Sequence, residues 1–156
     1  MRTNVLILIV LAVSGVAFLA HGGANGFRPP PGFQYAATSF VSLVPDHLDF
    51  GNQVVGRRSK AKRITVTNAG GKSLNIRSVT CDGDNWSDFT VVNDTCTGAT
   101  IAPNRACIID VTVNPSDTDE RNASLKLEDN APDSPQALSL TGNGINSDDL
   151  PPFVSR

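Results

Sequence analysis

The chain has 156 residues, of which 18% are charged, and its formal net charge is −2. That length favours one ordinary domain with tails over two cores, and the near-neutral balance excludes the usual basic nucleic-acid binder. Few aromatics against plentiful Gly, Pro, Thr, Asn and Asp suit short strands joined by turns better than long helices.

At the N-terminus Arg2 precedes a run of apolar and small residues from Val5 to Ala20, and Gly22, Gly23 and Ala24 follow. This layout is that of a secretory signal peptide over residues 1–24, with Ala20 and Ala24 both acceptable at the cleavage point. The run is shorter than the roughly 20 residues a spanning helix wants. Cleavage is therefore expected over retention, and membrane contact only for an uncleaved leader. No cysteine follows the run for lipoprotein attachment. Loss of Arg2 leaves 12 basic against 15 acidic residues, a mature charge near −3. Residues 25–41, with Pro29, Pro30 and Pro31 in succession, read as an extended Pro/Gly-rich linker.

Strand signals then recur at regular spacing. Leu48 and Phe50 alternate ahead of a turn at Gly51-Asn52. Ile64 and Val66 alternate with Thr65 and Thr67, and that strand stops at Asn68-Ala69-Gly70-Gly71. Leu74 and Ile76 alternate with Asn75 and Arg77, and the phase changes at Ser78-Val79 as a bulge would give. Phe89 and Val91 form a short strand after the turn-rich Asp82 to Asp88. In the strongest strand, Cys107, Ile109, Val111 and Val113 share one face, and Pro115 ends it. Ala123, Leu125 and Leu127 follow, then Leu138 and Leu140 up to Gly142.

Seven such period-two runs predict an all-β, immunoglobulin-like antiparallel sandwich of seven to eight strands over residues 42–145. Outside the leader no window keeps a helical apolar period. Trp86 falls in a turn-rich loop, so the antibody-type Cys–Trp–Cys pattern is missing. Residues 146–156, acidic and Pro-containing, read as a disordered tail. Cys81, Cys96 and Cys107 all lie in the expected domain, where an oxidising compartment permits one bridge. The odd count leaves one thiol free or paired with another chain.

Four segments, LDFGNQVVG (Leu48 to Gly56), ITVTNAGGKSLNI (Ile64 to Ile76), CTGATIAPNRACIIDVTVNP (Cys96 to Pro115) and SPQALSLTGNG (Ser134 to Gly144), carry a resemblance in motif order and spacing. Over residues 43–145 the chain resembles the ASH domains, named for abnormal-spindle and Hydin proteins, whose bacterial members are known as choice-of-anchor D domains. The resemblance implies an immunoglobulin-like sandwich related to the major sperm protein fold. It also implies a non-enzymatic structural or protein-binding role, with no catalytic residues to carry over. Relatives are often repeated in tandem, whereas this chain holds one copy. Bacterial relatives look similar at Cys96 and Cys107, which implies a bridge closing that connection and contributing ~3 kcal/mol. Cys81 competes for either partner, and free core thiols are the other reading. A redox pair is the least favoured, for want of a C-x-x-C spacing.

Other chemistry has thin support in the residues. Only His21 and His47 are available as imidazole ligands. Cleavage after Ala20 would make His21 N-terminal, where its amine and imidazole together with His47 could chelate copper; two ligating side chains fall short of a usual site. The alternative function is thus a copper-binding secreted sandwich. The same shortage argues against a Ser–His–Asp relay, and no cofactor is expected. Asp82/Asp84 and Asp117/Asp119 sit in turn-forming sequence, where Asp caps its own backbone. Asp82-Gly83-Asp84-Asn85 has a passing likeness to a calcium loop, but Trp86 takes the next ligand position and no glutamate closes it. Sequons at Asn85, Asn93 and Asn122 matter only in a glycosylating host.

Arg57, Arg58, Lys60, Lys62 and Arg63 place five cations in seven residues. They form a candidate docking patch for an anionic polysaccharide, lipid headgroups or an acidic protein. The plainer account is a solvated strand edge kept from pairing with other chains. The chain therefore reads as an exported, secreted or periplasmic, interaction module. Its partner would be a protein or a cell-envelope surface, not nucleic acid, met through sheet edges or loops by added-strand pairing.

Overall fold

The computed structural model describes residues 38–149; the expected leader, residues 25–37 of the expected linker, His21, and the chain from Leu150 lie outside the described residues. Nine strands run in chain order: β1 (Val41–Val44), β2 (His47–Val54), β3 (Lys62–Asn68), β4 (Leu74–Asp82), β5 (Phe89–Asp94), β6 (Thr100–Ile101), β7 (Ala106–Val113), β8 (Asp119–Asp129) and β9 (Gln136–Ile145). Single 3-10 turns occupy Trp86–Asp88 and Ser147–Asp149. Two strands are not legible as alternating runs. β1 has four residues with a single buried position, and β6 has two.

The strands form a four-stranded sheet in the order β1-β3-β7-β5 and a five-stranded sheet in the order β2-β9-β8-β4-β6. Period-two alternation explains the sandwich directly, because one face of every long strand is apolar. Ile64 and Val66 of β3, Ile109, Val111 and Val113 of β7, Leu125 and Leu127 of β8, and Leu138 and Leu140 of β9 are essentially inaccessible to solvent. Leu48, Phe50, Leu74, Ile76 and Phe89 complete the core between the sheets. The rings of Phe50 and Phe89 meet at 5.9 Å, linking β2 of one sheet to β5 of the other.

Two sequence expectations change here. Gly51-Asn52 is not a turn ending a strand, since β2 continues through it to Val54 with a register shift between Asp49 and Asn52. Gly51, at φ +62°, donates its N–H to Asp49 Oδ1 at 2.8 Å, so the glycine makes a bulge inside the strand. The sandwich is also not wholly antiparallel, because β2 pairs with β9 in parallel. Only Pro45 and Asp46 separate β1 from β2, yet the two strands lie in different sheets. The chain changes sheet there instead of forming a hairpin. The expected change of phase in β4 is present, as a register shift between Ile76 and Ser78.

Cys96 and Cys107 form a disulfide, with Cα atoms 5.2 Å apart and 11 residues of separation. It ties the start of β7 to the turn ahead of β6, and both cysteines are buried in the core. Asn68, read from sequence as the start of a turn, is instead fully buried. Its Nδ2 donates to the carbonyls of Lys72 and Ile101 at 2.8 and 2.9 Å, and its Oδ1 accepts from Gly70 N–H at 3.0 Å. One side chain thereby fastens the β3–β4 turn to β6 of the opposite sheet.

Candidate interaction surface

A sandwich of two open sheets has four edges, and each presents unpaired backbone groups unless something covers or distorts it. β1 is four residues long and runs straight into Pro45. β2 carries the Gly51 bulge. β5 carries a second bulge, with its register shifting between Val91 and Asn93 around the half-exposed Val92. Short length, proline and bulges all discourage the addition of another strand.

The fourth edge differs. β6 covers β4 only at Leu74 and Asn75, and the loop beyond it reaches one residue further. There Ile76 N–H donates to the Ala99 carbonyl (3.1 Å), and Gly98 N–H donates to the Ile76 carbonyl (2.9 Å). From Ser78 to Asp82, β4 pairs with β8 on one side without interruption and, among the described residues, has no strand on the other.

The phase of the free groups follows from two observations. Ile76 directs its amide outward, and the residue inserted at Arg77 shifts the alternation by one. On the β8 side, Asn122 accepts from Asn85 N–H and donates to Asn85 Oδ1, so even-numbered residues of β8 face β4. Ser78, Thr80 and Asp82 therefore bond to β8, leaving the N–H and C=O of Val79 and Cys81 directed outward.

The side chains along this flank are mild. Val79 and Cys81 pack against the core, while Thr80 and Asp82 are exposed on the other face. The Asp82 carboxylate takes a hydrogen bond from Lys126 Nζ on β8, and this contact holds its pKa below the usual carboxylate value. Arg77 Nη2 donates to the Asp129 carbonyl at 2.8 Å. Trp86, the sole tryptophan, follows β4 in the 3-10 turn and is 55% exposed. Cys81 is the free cysteine, and burial pushes its thiol pKa up. A raised pKa suits a packing residue and opposes a reactive thiolate.

The basic cluster divides in two. Lys62 and Arg63 open β3 and have internal partners. Lys62 Nζ donates to the Asp49 carbonyl and lies 5.6 Å from the centre of the Phe50 ring. Arg63 grips Asp110 of β7 with two hydrogen bonds at 2.7 and 2.9 Å, which hold the Asp110 carboxyl below its ordinary value. β7 flanks β3 from Lys62 to Thr67, but β1 reaches only from Thr65 to Asn68, so Lys62 and Arg63 stand where the β1 side of β3 has no strand among the described residues, the position of a solvated strand edge. Arg57, Arg58 and Lys60 lie in the β2–β3 loop, exposed and without an ion pair among the described residues. Backbone bonds from Val55, Gly56 and Ser59 to Ile145, Pro115 and Val113 fix that loop.

The remaining candidates serve local structure. His47 sits at the start of β2, exposed, with Nδ1 at 2.8 Å from Asp46 Oδ1. Among the described residues no three His, Cys, Asp or Glu side chains converge as metal ligands would. Asp117 Oδ1 accepts from Thr118 N–H, and Asp119 opens β8 at φ +75°. Asp88, read only as the end of a loop, is 4% exposed. Its Oδ2 accepts from Ser116 and lies 3.7 Å from Arg121 Nε, pinning the 3-10 turn to the β7–β8 connection.

A family model described as HYDIN/CFA65/VesB-like, Ig-like domain matches residues 40–143. A search of curated protein sequences finds no match. Among solved structures, the chain is similar to an ASH/PapD-like domain of human CEP192, with a TM-score of 0.51 and 12% identity over 82% of this chain and 99% of that one. It is also similar to the VesB protease of Vibrio cholerae (TM-score 0.50, 20% identity, 67% of this chain). The secreted serine protease VesC of the same organism matches at the same score and identity over 62% of this chain. The chain spans 31% of the VesB chain and 21% of the VesC chain. At these identities the likeness is one of fold.

Proposed function

The chain belongs to the HYDIN/CFA65/VesB-like family of immunoglobulin-like domains, and from that premise we propose an exported, non-enzymatic module that takes a partner protein's strand along β4. The fold suggests a protein-interaction module and is generally non-catalytic. The observation that carries the proposal is the flat run from Ser78 to Asp82, which among the described residues has no bulge, proline or covering strand. Added-strand recognition draws affinity from main-chain hydrogen bonds, and Val79 and Cys81 offer two outward pairs of donors and acceptors. Thr80, Asp82 and Trp86 flank them and would set preference among partners.

Three observations support export. The N-terminal run has the layout of a signal peptide. The Cys96–Cys107 disulfide suits an oxidising compartment. One of the structures similar in fold is a secreted protease. In this reading residues 1–24 are removed, and the Pro/Gly-rich segment from residue 25 becomes the mature N-terminus ahead of β1.

A second docking mode is favoured by one observation: the fixed β2–β3 loop presents Arg57, Arg58 and Lys60 together, with no carboxylate engaging them among the described residues. Such a loop fits an acidic partner or an anionic envelope surface. Capture from an envelope fraction separates the modes. Thr80→Glu inserts a charge on the β4 flank opposite Lys126, and Arg57→Glu/Arg58→Glu/Lys60→Glu reverses the loop. Partners lost with Thr80→Glu and retained by the loop variant are expected. Partners retained by Thr80→Glu would refute strand addition.

A further inference from the structure

We infer that the partner of the β4 flank is a second copy of this chain, paired antiparallel about a two-fold axis so that two five-stranded sheets become continuous. The inference rests on the reading of that flank as a strand-pairing site.

Symmetry limits the choices. A two-fold axis relating antiparallel strands places residues of the same face opposite one another, so β4 can centre only on a residue, never between two. The register centred on Thr80 sets Thr80 against Thr80 of the second copy. It also sets Val79 against Cys81 and Ser78 against Asp82 of the second copy, each twice. All these pairs are compatible: two hydroxyls, two apolar groups, and a serine hydroxyl donating to a carboxylate. The two residues whose backbone groups point outward, Val79 and Cys81, then face each other. They close four main-chain hydrogen bonds across the axis.

Neighbouring registers fail. Centring on Val79 sets Asp82 against Ile76, whose outward N–H and C=O are already taken by Ala99 and Gly98. It also sets Arg77 against the apolar Cys81. Centring on Cys81 runs into Gly83, where the strand ends in a turn at φ +109°. Only the Thr80 register uses the whole unpaired length without a like-charge pair. A contact of about five residues a side falls below the area of a stable interface, so the dimer forms at high protein concentration or when held together in an assembly.

The test is sedimentation of the protein recovered after export, from about 1 to 500 µM, a range suited to a small interface. Wild type and Thr80→Val are expected to pass from monomer to twice its mass as concentration rises. Thr80→Glu, which sets two carboxylates opposite each other in the dimer but faces Lys126 in the monomer, is expected to remain monomeric with an unchanged thermal midpoint. Thr90→Glu on the bulged β5 edge is expected to dimerise like wild type. As a second measurement, the Cys81 thiol is expected to react several-fold more slowly in the dimer, where Val79 of the second copy covers it. A wild type that stays monomeric throughout, or a dimer that survives Thr80→Glu, overturns the second copy as partner. If the monomeric wild type captures another protein and Thr80→Glu does not, strand addition stands while this inference falls.

Discussion

Asp129 ends β8 with a carboxyl group 1% exposed. Its Oδ1 accepts from Ala131 N–H at 2.6 Å, while among the described residues its Oδ2 makes no hydrogen bond of normal geometry, the Gln136 amide beside it offering only a weak contact. Burial raises its pKa from the ordinary 3.8. A carboxyl whose pKa is higher folded than unfolded makes the fold bind protons more tightly. Stability therefore falls as pH rises from 3.8 through the raised value, and the cost stays in place at neutral pH. Asp129→Asn keeps the size and removes the charge. It should gain about 1 kcal/mol, roughly 4–8 °C in melting temperature at pH 7. The variant should also lose that part of the acid-side gain in stability, which melting curves between pH 3.5 and 7 would check. An unchanged midpoint at pH 7 would mean that Oδ2 has found a partner. Nothing in the residue pattern announces this group, because Asp129-Asn130 reads equally as an exposed turn. Asn68 is hidden in the same way: a side chain that satisfies three backbone groups across two sheets looks, in sequence, like any asparagine at the end of a strand.

Strands with strict alternation are legible in the residue order alone, and β7 shows why. Every second residue from Cys107 to Val113 is apolar, and each one is buried. Edges are not legible, since whether a strand has one neighbour or two depends on pairings remote in sequence. The Arg57–Arg63 cluster illustrates this. Its first three cations belong to a loop, and its last two to a stretch of β3 that β7 flanks and β1 does not reach, a division set by pairings remote in sequence. The parallel β2–β9 pair is a product of the sheet change at Pro45, which no local pattern encodes. The disulfide acts at the same scale. It closes 11 residues between the β5–β6 turn and β7. Reducing it, or substituting both cysteines with alanine, should cost about 3 kcal/mol by the loop-entropy estimate, a fall of roughly 15 °C in melting temperature. A loss below about 1 kcal/mol would assign the ordering of that turn to the Asp94 side chain, whose Oδ1 accepts from Cys96 and Thr97 N–H.

For the molecule as a whole, the sandwich buries its apolar faces between the sheets and leaves only rims, loops and backbone edges to meet other molecules. Among the described residues most rims are blunted, while the Ser78–Asp82 flank is flat and without a strand beside it, and our proposal makes that flank the strand-accepting site. Amide hydrogen exchange along β4 tests this claim most directly. At low concentration, Ser78, Thr80 and Asp82 should exchange slowly through their bonds to β8, while Val79 and Cys81 exchange quickly. Once a partner strand or a second copy is bound, Val79 and Cys81 should become protected as well. If their amides stay fast in the complex, or are already slow in the isolated monomer, the flank is not where this protein meets its partner.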